Sequence, residues 1–116
     1  MTQYLLSMIQ PNGLDEDAVP PPEVLEVVMA EIAHIRGELA ERGAWVFGNG
    51  LHGPSTASTV RLEDGRAVVT DGPFVEMKEH LGGVTIIDVA DREEALVWAR
   101  RYAEVTTLPI EVRAFR

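Results

Sequence analysis

The stretch Thr70–Gly83 reads TDGPFVEMKEHLGG and lies between two apolar, strand-like runs. It combines a rigid Asp-Gly-Pro turn, four charged side chains, a histidine and a double glycine within fourteen residues. A connection this rich in polar groups is where a small domain tends to keep its functional residues. The stretch therefore sets both the position of the strands around it and the first place to search for a site.

Regular elements are predicted on both sides of this stretch from hydrophobic periodicity and turn residues. Asp64-Gly65 between two β-rich runs predicts a tight hairpin. Asp91, with Glu94 three residues later, has the pattern of a helix N-cap. The predicted elements are strands at 2–9, 44–48, 58–63, 66–70, 84–89 and 110–115, and helices that begin after the prolines at 20–22 and at Asp91.

The apolar positions predict which faces of the two helices are buried. The first helix carries Val24, Val28, Ile32, Ile35 and Leu39 at three- and four-residue spacing. For the second helix, we expect the buried side to hold Ala95, Leu96, Ala99, Tyr102 and Ala103.

The order of elements is strand, helix, strand, hairpin, strand, helix, strand. Without the hairpin, two β-α-β units remain, so the sequence predicts an α+β domain over residues 1–116 with a ferredoxin-like split β-α-β arrangement. Two helices cover one face of such a sheet. The strands carry apolar groups on both faces, with Trp45 and Phe47 expected together on the face opposite Val46. A second copy of the chain is the simplest cover, so we expect a homodimer.

Composition limits the classes of function. The net charge is −9, which disfavours nucleic acid and anionic lipid as partners. No cysteine is present, so a disulfide or a thiolate metal site is excluded. No apolar run approaches the ~20 residues needed to span a bilayer, and the N-terminus lacks the pattern of a signal peptide. We expect a soluble cytoplasmic protein without membrane or nucleic-acid partners.

Several motifs together resemble the DGPF-type branch of the YCII-related proteins. The signature is Asp71-Gly72-Pro73-Phe74, then Glu76, Lys78-Glu79 and Leu81-Gly82-Gly83. Other matching segments are Gly48–Leu51, Pro54–Arg61, Asp64–Arg66, Glu94–Leu96, Trp98-Ala99 and Glu111–Arg113.

This resemblance implies a ferredoxin-like fold that dimerises as an α/β barrel. Proteins that share the wider fold include muconolactone isomerases and dehalogenases, and some DGPF proteins accompany alternative sigma factors. Two functions follow as hypotheses. One is binding of a small acidic or lactone-like ligand, with proton transfer of the isomerase or lyase kind. The other is a non-catalytic interaction module linked to transcription regulation.

The candidate site residues come from the opening stretch and from the loop at 49–57. Asp71 is the candidate base and His52 the candidate acid, while Lys78 would hold an anionic group. Glu76 and Phe74 would complete the substrate site, in a pocket between the sheet and the loops at 49–57 and 71–83, near the dimer interface.

Each of these residues also has a structural interpretation. Asp71 can bond the backbone of its turn, and Glu76 can pair with Lys78. Trp45, Trp98 and Tyr102 are expected in the core or an interface, with an aromatic-lined pocket as the alternative. The donors Glu76, Glu79 and His80 are too unspecific to predict a metal site, and we expect no cofactor.

Overall fold

A computed structural model describes residues 1–11, 20–73 and 78–116. It is a mixed α+β structure with two helices and two antiparallel sheets. In chain order the elements are β1 (Thr2–Pro11), α1 (Pro22–Glu41), β2 (Trp45–Gly50), a 3-10 turn (Pro54–Thr56), β3 (Ser58–Glu63), β4 (Arg66–Asp71), β5 (Glu79–Val89), α2 (Arg92–Thr106) and β6 (Ile110–Ala114).

The larger sheet has the strand order β2-β5-β1-β6, and every neighbouring pair is antiparallel. It is an open sheet, not a closed barrel. Strands β3 and β4 form a separate two-stranded sheet around Asp64 and Gly65, which both have positive φ (51° and 79°). These angles are those of the mirror-image turn that Asp-Gly favours, so the predicted hairpin is confirmed. Neither of the two described helices is long and apolar enough to cross a membrane.

Both helices pack on one face of the larger sheet. The core lies between the helices and this face, and it combines residues from both. Its members are Tyr4, Leu6, Ile35, Leu39, Ala44, Ile87, Val89, Ala95, Trp98, Ala99 and Tyr102. The N-cap of α2 forms as predicted, with the Asp91 carboxylate accepting the Glu94 N–H at 2.9 Å. Ala95, Ala99 and Tyr102 of α2 are buried as predicted, and so is Trp98, whereas Ala103 is only half-buried and Leu96 is 40% exposed.

Helix α1 is buried only along its C-terminal half. Ile35 and Leu39 are almost fully enclosed, and an ion pair between Glu38 and Arg101 joins the two helices there. In the N-terminal half Val24 is 50% exposed and Val28 is only half-buried. The predicted apolar stripe is present, but only its later members reach the core.

The prediction that Trp45 and Phe47 share a face is wrong. Trp45 pairs with Ile87 and Phe47 with Ile86, so the register shifts at Val46. An extra residue in one strand reverses the alternation of side chains beyond it. Trp45 therefore packs against the core, while Phe47 is 53% exposed on the opposite face.

Strand β5 begins at Glu79, five residues before the predicted start at Val84. Gly82 and Gly83 therefore lie inside the strand and do not open it. Gly82 is the extra residue at the irregularity opposite Met8 and Ile9. A Cβ on Gly83 would lie 3.2 Å from the backbone oxygen of Asn49, so β2 passes close to the backbone at this position.

We expect Gly48→Ala to destabilise the protein by about 1–3 kcal/mol, the usual cost of overpacking. A Cβ at Gly48 would lie 2.5 Å from the ring of Trp45 and 3.1 Å from the Thr85 hydroxyl. Gly50→Ala in the same strand is the matched control, because its Cβ would meet nothing nearer than 3.9 Å. Urea unfolding of both variants tests this, and equal stability of the two would contradict it.

Candidate functional site

A cavity of about 740 Å³ lies between the N-terminal half of α1 and the helix-covered face of the sheet. It exists because this half of α1 does not pack into the core. Its apolar walls come from α1, the strands and the end of α2, including Met8, Val24, Val28, Ile32, Trp45, Val105 and Leu108. Cavities of this size and composition are typical of sites for small molecules.

Several polar side chains also line the cavity: Gln10, Arg36, Asn49, Thr85, Tyr102, Thr106 and Thr107. Thr85 and Tyr102 are 3% and 2% exposed, respectively, so both hydroxyls belong to the interior. Gln10 also contacts the imidazole of His80, with 3.1 Å between Oε1 and Nε2. The cavity is thus a mainly apolar space with a few polar groups, a combination that can orient a ligand.

The Tyr102 hydroxyl has no hydrogen-bond partner in the described part of the chain. Burial raises the pKa of this phenol above its ordinary value. Thr85 lies close enough to reduce that shift, although the two hydroxyls are not in hydrogen-bonding geometry. Tyr102 therefore stays protonated at neutral pH, and its hydroxyl hydrogen has no acceptor among the described residues. A buried hydroxyl without a partner is uncommon in proteins and requires an explanation.

Arg36 lies at the exposed edge of the cavity, with its guanidinium carbon 4.9 Å from the centre of the Trp45 ring. It is the one charged side chain among the described residues that line the cavity. No carboxylate of the described chain is paired with it, whereas Arg101 is paired with Glu38 and Arg100 with Glu104. Within the described residues, Arg36 is therefore a cation without a carboxylate partner, and it lies beside the ring of Trp45.

The site residues predicted from sequence lie elsewhere, as far as they are described. Asp71 ends β4 opposite Ser58, and its side chain is exposed. His52 is exposed after β2, and Lys78 is exposed before β5. In the described chain none of the three lines the cavity. Glu76 and Phe74 lie outside the described residues.

The turn at the start of the signature is held to the hairpin by two hydrogen bonds. The Gly72 N–H donates to the Ala57 carbonyl at 2.6 Å, and the Thr59 hydroxyl donates to the Gly72 carbonyl at 2.9 Å. Gly72 has a φ of +97°, which favours glycine. These contacts give the Asp-Gly-Pro turn a structural role.

Residues 1–115 match the family model of the YCII-related domain. The chain belongs to the YCII-related domain family. A protein of Rhizobium meliloti (strain 1021) that is named only as uncharacterised is 37% identical over 75 residues, which cover 65% of this chain and 60% of that protein. Family membership thus identifies neither a ligand nor a reaction.

Sequence reasoning did not assign Arg36 to a site, and it placed Tyr102 only in a core or interface. One signal was present: Arg36 follows Ile32 by four residues and so continues the stripe of Val24, Val28 and Ile32. A charged side chain on the apolar side of an amphipathic helix interrupts the hydrophobic pattern and so indicates a polar function at that position. The missing hydrogen bond of Tyr102 has no such signal, because it depends on what packs around the ring.

We expect the phenol of Tyr102 to ionise above the ordinary tyrosine range near pH 10. Because folding raises this pKa, its contribution to stability is complete below the unfolded-state pKa and is lost as the pH rises through the folded-state pKa. Phenolate absorbance followed against pH checks this, since the chain has two tyrosines. Tyr102→Phe should remove the late component, and Tyr4→Phe should keep it.

At neutral pH Tyr102→Phe should raise the free energy of unfolding by about 1–3 kcal/mol, because it removes an unsatisfied buried hydroxyl and no hydrogen bond is lost. A lower stability of the variant would mean that the hydroxyl is paired in solution.

Proposed function

We propose that the protein binds a small molecule in the cavity beneath α1. One observation carries this proposal: an apolar cavity of about 740 Å³ whose lining residues include Tyr102, whose buried hydroxyl has no hydrogen-bond partner among the described residues. Leaving such a group unsatisfied costs roughly 1–3 kcal/mol. A ligand oxygen or nitrogen that accepts the Tyr102 hydrogen would remove that cost on binding.

We also propose a specific arrangement for the fold and a specific branch of the family. The chain is taken as one domain with the ferredoxin-like split, because α1 joins β1 to β2 and α2 joins β5 to β6, with one strand between the members of each pair. Membership of the DGPF-type branch is supported by the signature at 71–83.

Proton transfer of the isomerase or lyase kind is a further proposal. Asp71 as base, His52 as acid and Lys78 as anion anchor stay a hypothesis that rests on the signature and on residue chemistry. Within the cavity, Tyr102 offers a neutral donor that could stabilise a developing negative charge on a ligand oxygen. Mutations in the signature and loop residues and mutations in the cavity therefore test the two sets of residues separately.

A titration with the neutral apolar dye N-phenyl-1-naphthylamine tests the cavity. We expect saturable binding with increased dye fluorescence, and at least a tenfold loss of affinity in Val28→Trp, whose indole would fill the cavity. Val27→Trp is the matched control, since Val27 is the next residue of α1, is 62% exposed and is not among the described lining residues.

Equal dye binding by the two tryptophan variants would overturn the assignment of the cavity.

Asp71→Asn tests the signature residues, through its affinity for any ligand that a metabolite screen finds and through its melting temperature. Loss of that ligand with an unchanged melting temperature would support the signature residues as the site. A lower melting temperature with unchanged affinity would leave Asp71 as a turn residue.

We also propose that the protein is a homodimer whose sheets face each other. The face opposite the helices carries Leu5, Ile86 and the half-exposed Phe47, and no helix of the described chain covers it. An exposed apolar face of this kind marks an association surface. A symmetric pair would bury the same patch on both copies.

Sedimentation at micromolar concentration should give the mass of a dimer, and Phe47→Asp should give the monomer. Val97→Asp should leave the mass unchanged, because Val97 is 59% exposed on α2, which packs on the opposite side of the sheet. A monomeric wild-type protein would contradict the proposal.

A second candidate function is the non-catalytic interaction module, for which the hairpin supplies an observation. Val60, Leu62 and Val69 lie on one face of it and are 64%, 76% and 64% exposed. An isolated two-stranded hairpin is only marginally stable, so this face would gain from a protein partner. The candidate replaces the first if the dye does not bind the cavity.

A further inference from the structure

We propose that the cavity selects a monoanion with a flat apolar body, such as an aromatic monocarboxylate. The anionic group would pair with Arg36, the body would lie against Trp45, and a ligand oxygen would accept the Tyr102 hydrogen. This inference rests on the proposed function, since it names the class of ligand for the same cavity.

The charge of the lining residues favours an anion. Arg36 is their one charged member in the described chain and has no carboxylate partner there. The protein as a whole carries −9, so its long-range field repels anions and any preference must come from a local cation. A single guanidinium can hold one carboxylate through two parallel hydrogen bonds, and it neutralises one negative charge.

The shape of the wall favours a flat body. The Trp45 ring packs against the core and carries the guanidinium of Arg36 over one of its faces. Gly48 gives the ring its space, because a Cβ there would collide with it. The part of the ring that lines the cavity is rigid and apolar, and it allows edge-to-face contact with a ligand ring.

The protonation state of Tyr102 is compatible with an anionic ligand. Because the phenol is buried and keeps its proton at neutral pH, it donates a hydrogen bond and adds no negative charge to the cavity. A neutral ligand without an acceptor would leave this donor unpaired. The same group therefore selects for a ligand that carries oxygen in addition to its apolar surface.

Displacement of N-phenyl-1-naphthylamine by 1-naphthoate and by 1-naphthamide tests the inference, since the two probes differ mainly in charge. At low salt we expect the wild-type protein to bind 1-naphthoate about fivefold more tightly, the factor that an exposed ion pair of about 1 kcal/mol gives. The preference should shrink as salt is added, because Arg36 is exposed.

Arg36→Gln should abolish this preference, and continued binding of the dye and of 1-naphthamide shows that the variant is folded. Arg36→Lys should keep most of the preference, since it keeps the charge. Arg42→Gln is the matched control. Arg42 stands over Trp98, with 5.5 Å to the ring centre, and is not among the described lining residues.

The outcomes separate the two proposals. If the dye does not bind, the proposed function itself fails. If the dye binds and both probes displace it equally from the wild-type protein, the inference about the anion is wrong and the cavity remains. The inference is also overturned if Arg36→Gln keeps the full preference, or if Arg42→Gln loses it.

Discussion

The uneven packing of α1 is the constraint on which the site depends. Ile35 and Leu39 fix its C-terminal half to the core, and the ion pair of Glu38 with Arg101 lies at the same end. A helix is nearly straight over this length, whereas strands twist relative to one another, so a helix held at one end diverges from the sheet at the other. The half of α1 that carries Val24 and Val28 is therefore separated from the sheet, and the cavity lies between them.

The irregularity at Val46 affects both faces of the sheet. It keeps Trp45 on the helix side, where the ring forms a wall of the cavity and supports Arg36. The same extra residue turns Phe47 to the opposite face. One local change in register therefore places Trp45 at the cavity and Phe47 on the uncovered face of the sheet. Restoring regular pairing would alter both surfaces together.

Much of the fold could be predicted because its determinants are local. The Asp64-Gly65 turn and the Asp91 cap each depend on a few neighbouring residues, and both are present as predicted. The errors concern long-range pairing. The early start of β5 and the shift at Val46 depend on which backbone lies alongside, and no side-chain pattern within the strand reports that. The site follows the same rule, since its polar groups come from elements far apart in sequence.

Solvent exposure separates Asp71 from Tyr102 as candidate site residues. Exposed charges such as Asp71 are well solvated and need no ligand, so a polar turn can exist for structural reasons alone. A phenylalanine at position 102 would occupy nearly the same volume as the tyrosine and would avoid the cost of an unsatisfied hydroxyl. The buried hydroxyl of Tyr102 therefore has a cost that core packing alone does not offset, whereas the exposed charges of the signature carry no such cost.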